Sequence, residues 1–273
     1  MPRRITKNFL RIPTYLWFFL LFLGPLLIVV QISFAKRDVY GFIQGGFQLQ
    51  SYIEAFQPLY LKILGKTLVF ALGTSLLTIL FSYPVAAFLW KVSPKYQTTL
   101  LTLFLFPMWI NYLLRLLAIM DLFRAMPESL NWLYTQKGIF FTLIYVNWSC
   151  AFLPLFSAFS KLPVTFREVA QDLGANKWQT FTKVIFPLTK KGVLQAFVFV
   201  FIPCFGEYLI PELIGGGRHF FMGNFLQSQF LTARNWPLGS AFIVGLLGMI
   251  LITTFYFMQI QSQKEKKDAL AFV

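Results

Sequence analysis

Six long apolar runs, separated by short polar stretches, decide what this chain can fold into. They cover about 13–35, 66–90, 98–120, 138–160, 190–208 and 238–260. Each approaches or exceeds the ~20 residues that a helix needs to cross ~30 Å of hydrocarbon. Backbone N–H and C=O groups in lipid need partners within the chain, so every span is expected to be a helix. The fold class that follows is an all-α membrane protein with six transmembrane helices. Pro25, Pro84, Pro107, Pro154 and Pro203 fall inside the runs and are expected to bend or locally break them. For most of the five, shape alone is the expected role.

Composition agrees with this reading. Hydrophobic residues make up 57% of the 273 residues and charged residues 12%, against about 25% charged in a typical soluble domain. The net charge of +14 raises nucleic acid as a partner. The basic residues instead lie in short runs between apolar spans, with no basic stripe on a soluble domain, so no nucleic-acid partner is expected. Cys150 and Cys204 both sit in apolar runs and read as packing residues, not a disulfide. The basic N-terminus followed by an apolar run has the look of a signal peptide. It lacks an A-x-A-like cleavage site, and the run is long enough to span. No internal repeat and no Ser- or Pro-rich linker divides the chain, so 1–273 is read as a single transmembrane domain.

The basic residues also set an orientation. With the N-terminus inside, about 15 Lys and Arg fall on the inner side and about 8 on the outer side, as the positive-inside rule expects. Both termini and the loop around Glu168 are then cytoplasmic. Asp38, Glu54, Asp121, Glu128, Glu207 and Glu212 lie outside or near the outer boundary. The outer stretch 206–237, with its Gly triplet and several apolar residues, is expected to fold back onto the outer mouth.

The fourth loop, Thr165 to Pro187, is polar yet patterned as helix. Thr165 and Glu168 form a T-x-x-E capping box. Val169, Ala170 and Leu173 fall at helical spacings on one side, and Gly174 is placed to end the helix in a left-handed turn. Asn176 is placed to cap a second helix, which Pro187 interrupts. A helix–turn–helix outside the bilayer results; the plainer alternative is an amphipathic loop that wets the membrane surface.

Several chemistries are absent. Gly215–Gly217 are followed by Arg218 and His219, so there is no phosphate-cradling G-x-x-x-x-G-K-[ST] and no expected ATP site. His219 is the only histidine, which argues against a His-based metal site or a Ser/His/Asp triad. The cysteines lack C-x-x-C spacing. No enzyme, no catalytic residue, no metal and no cofactor is expected. Ionisable residues within spans are the functional candidates, because charge in hydrocarbon is costly. Arg115 lies inside the third run with Asn111 one turn before it, and its expected role is an ion pair that holds helices together. Asp121 ends that run on the outer side, and Glu207 follows the break expected at Pro203. The two acids suit either cation binding or a plain boundary role. Trp109, Tyr112, Trp148 and Tyr208 are candidate aromatic walls; for Asn147 and Trp148 interhelical packing is the simpler role.

The fourth loop resembles the "EAA loop" of membrane subunits of ABC importers, E-A-A-x3-G-x9-I-x-L-P. Glu168, Ala170, Gly174 and Pro187 stand at matching positions; Val169, Val184 and Phe186 replace one apolar residue with another. The likeness covers nearly the whole chain, through FQLQSYIEAF, FPMWINYLLRLLA and GNFLQSQFLTARNWPLGSA among others. These stretches are similar to the permease subunits of spermidine/putrescine ABC transporters, the B-type subunit above all. The resemblance implies a type I importer (MetI-like) fold in the cell inner membrane. It also implies a second homologous permease, an ATPase dimer that binds the ATP, and an external polyamine-binding protein. Glu168, Ala170, Leu173, Gly174 and Pro187 would couple to the ATPase. Asp121 and Glu207 would face a chain of ammonium groups, with the aromatic walls supplying cation–π contacts. The loop between Asp121 and Gly138 is shorter than in the family, which weakens carry-over there. Permeases for iron, thiamine, sulfate or molybdate share the EAA loop, so another solute stays open. So do a secondary transporter and a membrane protein of purely structural or assembly role.

Overall fold

A computed structural model describes residues 11–38, 41–163, 165–251 and 255. In chain order, α1 (Arg11–Phe18) and α2 (Gly24–Ser33) are joined by a π-helical turn at Phe19–Leu23. A short hairpin, β1 (Lys36–Arg37) and β2 (Ile43–Gln44), and helix α3 (Gln50–Ala55) follow. Then come α4 (Pro58–Lys91), α5 (Pro94–Trp109), α6 (Tyr112–Ala125) and α7 (Gln136–Ser160). The fourth loop holds α8 (Thr165–Asp172) and α9 (Lys177–Thr180); a π-helical turn at Phe181–Ile185 leads into α10 (Phe186–Gly206). The chain continues with α11 (Leu209–Leu213), α12 (Met222–Gln227), a π-helical turn at Ser228–Thr232 and α13 (Trp236–Leu251).

Backbone contacts divide the chain into two units, Met1–Leu61 with Leu226–Val273, and Lys62–Phe225. In the first unit the hairpin pairs Lys36 with Gln44 and Arg37 with Ile43. The Arg37 guanidinium donates to the Ala233 carbonyl at 2.7 Å, tying the hairpin to the segment before α13. Phe34 stacks on Phe47 with ring centroids 5.0 Å apart, and the Tyr52 hydroxyl meets Ser33 Oγ at 2.8 Å.

The second unit holds the core. Its central pair is α7 and α10. Small residues let these helices approach: a Cβ on Gly192 would lie 2.4 Å from Ala158 Cβ and 3.0 Å from the Pro154 carbonyl. Close approach over Gly and Ala is how helices associate where the solvent is itself apolar. The buried face of α4 is built the same way. Thr67, Ala71, Thr74, Thr78, Ser82 and Ala86 recur every three or four residues along it, with Ser75 beside them. Ser75 and Thr78 satisfy their hydroxyls on the carbonyls one turn back, each at 2.7 Å. The stretch after α10 folds back as expected: Ile210, Ile214, Phe221, Met222 and Phe225 are buried, and the Thr67 hydroxyl accepts from the Met222 N–H at 2.9 Å.

Four described helices are long and apolar enough to cross a membrane: Tyr15–Ser33, Pro58–Lys91, Gln136–Ser160 and Lys177–Gly206. The third expected run, 98–120, is not one straight helix. It is α5 and α6, bent by 89° at Ile110–Asn111. Pro107 lacks an N–H and weakens the last turn of α5, while Asn111 caps α6 by accepting from the Leu113 N–H at 2.9 Å. Counted as one span, the pair makes five. The sixth expected run, 238–260, is α13 as far as Leu251; most of the remainder lies outside the described residues. The helices run on through Pro84, Pro154 and Pro203. Cys150 and Cys204 are free thiols.

Candidate functional site

The elbow between α8 and α9 is shaped by three local signals. Gly174 adopts φ +86°, the left-handed region that residues with a Cβ avoid. Around it the Gly174 N–H donates to the Gln171 carbonyl at 2.9 Å and the Ala175 N–H to the Ala170 carbonyl at 3.0 Å. This is the Schellman pattern, which satisfies the last carbonyls of α8. Asn176 then opens α9 with a reciprocal capping box. Its side chain accepts from the Gln179 N–H at 2.8 Å, and the Gln179 side chain accepts from the Asn176 N–H at 3.0 Å.

Two expectations are corrected here. Thr165 is the first residue of α8, not its cap, so the T-x-x-E pair stands inside the first turn. The N-x-x-Q signature at Asn176, equally legible in the sequence, is where the capping box forms. Pro187, expected to interrupt the second helix, lies in a continuous helical segment, Lys177–Gly206. The π-helical turn explains this: the Phe186 N–H reaches back five residues to Phe181. That register change lets a residue without an N–H follow, at the first turn of α10. The helix that carries the fifth apolar run thus begins at Lys177, well before Lys190.

Of the coupling residues, Ala170 is buried, whereas Val169 and Leu173 are 52% and 84% exposed. Phe166, Val169 and Leu173, three or four residues apart, form one outward apolar ridge, and Trp178 stands exposed beyond the turn. Glu168 is exposed on the first turn of α8, where a negative charge favours the helix dipole.

The second cluster joins α6, α7 and α10. The Tyr112 hydroxyl donates to Glu207 Oε2 at 2.5 Å. Glu207 Oε1 accepts from the Leu209 and Ile210 N–H groups at 2.8 and 3.3 Å, capping α11. The Arg115 guanidinium lies 5.7 Å from the Tyr112 ring centroid, a cation–π contact. Its Nε is buried without a hydrogen-bond partner. The acid expected beside Arg115 is not found among the described residues, where the ion pair present is Arg124–Asp121 at 3.1 Å. That pair is exposed, and Asp121 is thereby held on the outer surface of α6. Asn147 donates to the Leu143 carbonyl at 2.9 Å and to Cys204 Sγ at 3.4 Å, adding a polar contact in the α7–α10 seam. Trp148 packs against the core, Trp109 is exposed at the end of α5, and the Tyr208 carbonyl accepts from Asn224 at 3.0 Å. Sequence reading missed the Tyr112–Glu207 bond, since the two residues are far apart in the chain and nothing local marks the pairing.

This arrangement, a membrane bundle with an apolar elbow and a half-buried acid, has counterparts among known proteins. Residues 3–264 match the family of binding-protein-dependent transport system inner membrane components. The chain belongs to this family. The permease is 32% identical over 268 residues to the spermidine/putrescine transport system permease protein PotB of Haemophilus influenzae, covering 93% of each chain. It is 31% identical over 264 residues to PotB of Escherichia coli, covering 91% of this chain and 96% of that one. In shape it is similar to a chain in the crystal structure of a bacterial ABC transporter that imports the acidic polysaccharide alginate. That match has a TM-score of 0.66 and 18% identity, and covers 93% of this chain and 96% of the other. The fold is therefore that of an ABC importer permease, a transport subunit of the inner membrane.

Proposed function

We propose that this chain is the membrane-spanning subunit of an ABC importer for polyamines, spermidine or putrescine. The observation that carries the reading is the match to a spermidine/putrescine permease along 93% of both chains. In this reading 1–273 is one permease domain with both termini cytoplasmic. It pairs with a second, homologous permease and receives polyamine from an external binding protein. An ATPase dimer supplies the energy, and this chain holds no cofactor and no metal. The ridge of Phe166, Val169 and Leu173 seats in a pocket of the ATPase, as an amphipathic helix does in a groove. Ala170 anchors the underside, Gly174 sets the angle, Glu168 meets the partner at the rim, and Pro187 belongs to the helix that carries motion onward.

Glu207 is the acid best suited to an ammonium group, because it stands at the end of α10 beside buried apolar residues. Three of its roughly four acceptor positions are filled by Tyr112, Leu209 and Ile210, which fixes the carboxylate and leaves room for one cationic donor. Tyr112, Tyr208, Trp109 and Trp148 supply aromatic faces along the path. Asp121 acts as an outer relay. Arg115 is held on the Tyr112 ring and has a structural role there.

The test is uptake of labelled spermidine and putrescine into vesicles holding the full importer with its binding protein. Glu207→Gln removes the charge with little change of shape. Hydrogen bonds to charged groups contribute about 1.5–3 kcal/mol, so uptake at limiting substrate falls about 10- to 100-fold. ATP-driven uptake of a different solute and none of polyamine overturns the reading of the cargo. Labelling of Ala175→Cys from the outer side alone overturns the orientation.

A further inference from the structure

We propose that the cleft beneath the elbow is a site for an anionic phospholipid. Its phosphate lies among Lys91, Arg167 and Lys177, and one acyl chain lies in the adjoining groove between α4 and α10. Two cavities carry the inference. The first, of about 170 Å³, lies under α8 and α9 at the end of α4. Those three cations line it and no carboxylate does. None of the three has an ion-pair partner among the described residues. Its floor is rigid: the Trp90 indole donates to the Leu162 carbonyl at 2.9 Å, and Phe159 is fully buried.

The second cavity, of about 390 Å³, is apolar throughout apart from the Tyr83 hydroxyl. Ile79, Leu80, Pro84, Phe186 and Val193 form its walls. The Tyr83 hydroxyl is already engaged with Thr189 Oγ1 at 2.8 Å, so it presents its ring. The two cavities share Tyr83, Ala87 and Phe181, so a charged compartment adjoins an apolar one. Leu80 is 62% exposed, which leaves the groove open along the side of the helix. A soluble anion matches the first compartment and leaves the second empty. An apolar partner helix fills the second and leaves three cations uncompensated. A molecule with a phosphate and a hydrocarbon tail satisfies both. Basic pockets between membrane helices near the surface favour such headgroups. The inference needs only that the chain lies in a membrane and not that it carries polyamine.

Native mass spectrometry of the delipidated full-length chain with its companion subunits tests it. The added ligands are phosphatidylglycerol, phosphatidylcholine of the same chain length, or inorganic phosphate alone. Each Lys or Arg near such a headgroup contributes about fivefold in affinity. The triple variant Lys91→Ser, Arg167→Ser, Lys177→Ser therefore binds phosphatidylglycerol on the order of 100-fold more weakly. Val193→Trp, which fills the groove without touching the cations, also weakens the lipid. Phosphatidylglycerol bound no better than phosphatidylcholine, or unchanged in both variants, overturns the proposal. Inorganic phosphate binding as tightly as the lipid assigns the charged compartment to a soluble anion and overturns the lipid site. Lipid binding as expected, with no polyamine uptake, leaves this inference standing and removes only the reading of the cargo.

Discussion

Replacing Gly174 gives a graded test of the elbow, because its surroundings isolate one variable. At φ +86° a side chain is strained, yet a Cβ built there meets nothing within 4 Å. The penalty is therefore conformational and not steric crowding by neighbours. An L-residue in the left-handed region costs about 1–2 kcal/mol, and Asn less than most. Such an amount changes a two-state ratio about 5- to 30-fold. Proline is worse on two counts. Its ring fixes φ near −65°, and it removes the N–H that donates to the Gln171 carbonyl at 2.9 Å. The expected order of damage is Asn, then Ala, then Val, then Pro. The readout is solute uptake per ATP hydrolysed in vesicles, with the amount of inserted protein measured alongside. Gly174→Ala is expected to lower that ratio about fivefold and Gly174→Pro to abolish coupling, while insertion stays normal. Full coupling with proline, or equal damage from Asn and Pro, refutes the argument that the angle at this residue transmits force.

Further outcomes follow from other contacts. Asn176→Ala removes the arm of the capping box that its side chain makes to the Gln179 N–H and is expected to destabilise the elbow by about 0.5–2 kcal/mol, seen as faster proteolysis between α8 and α9. Gly192→Leu drives a side chain into Ala158 at the α7–α10 seam; overpacking of this kind costs about 1–3 kcal/mol, read as a lower melting temperature in detergent, with partial rescue by Ala158→Gly. His219, outside the spans, is held below its ordinary value of 6.5, first by burial and then by Lys66 and Arg218. The folded protein disfavours the charged imidazole, so the unfolded chain takes up the proton first and stability falls as pH drops through about 6.5. The thermal stability of His219→Gln is expected to lose that dependence.

Much of the fold was legible from composition and run length, since lipid leaves the backbone one economical solution. The left-handed turn at Gly174 and the cap at Asn176 were legible for the same kind of reason: each depends on residues within five positions. Prolines were the poorest guide. Pro107 accompanies a right-angled break, whereas Pro187 is absorbed by a wider helical turn only six residues after Phe181. The difference lies in what the neighbouring carbonyls can reach, which no single residue announces. The Tyr112–Glu207 bond and the absence of an ion pair at Arg115 among the described residues depend on helices far apart in sequence. Sequence reading named all three residues but paired Arg115 with an acid when its neighbour was a ring.

The continuity of Lys177–Gly206 has a mechanical consequence. At 1.5 Å per residue, its 30 residues make a lever about 45 Å long. One end rises from the elbow, and the other stops one residue short of Glu207. A tilt of about 5° about the elbow end swings the far tip by roughly 4 Å, more than the length of the hydrogen bond that Tyr112 makes to the carboxylate. In the proposed coupling, a small push at the elbow is thus enough to undo a polar latch at the far end of the helix.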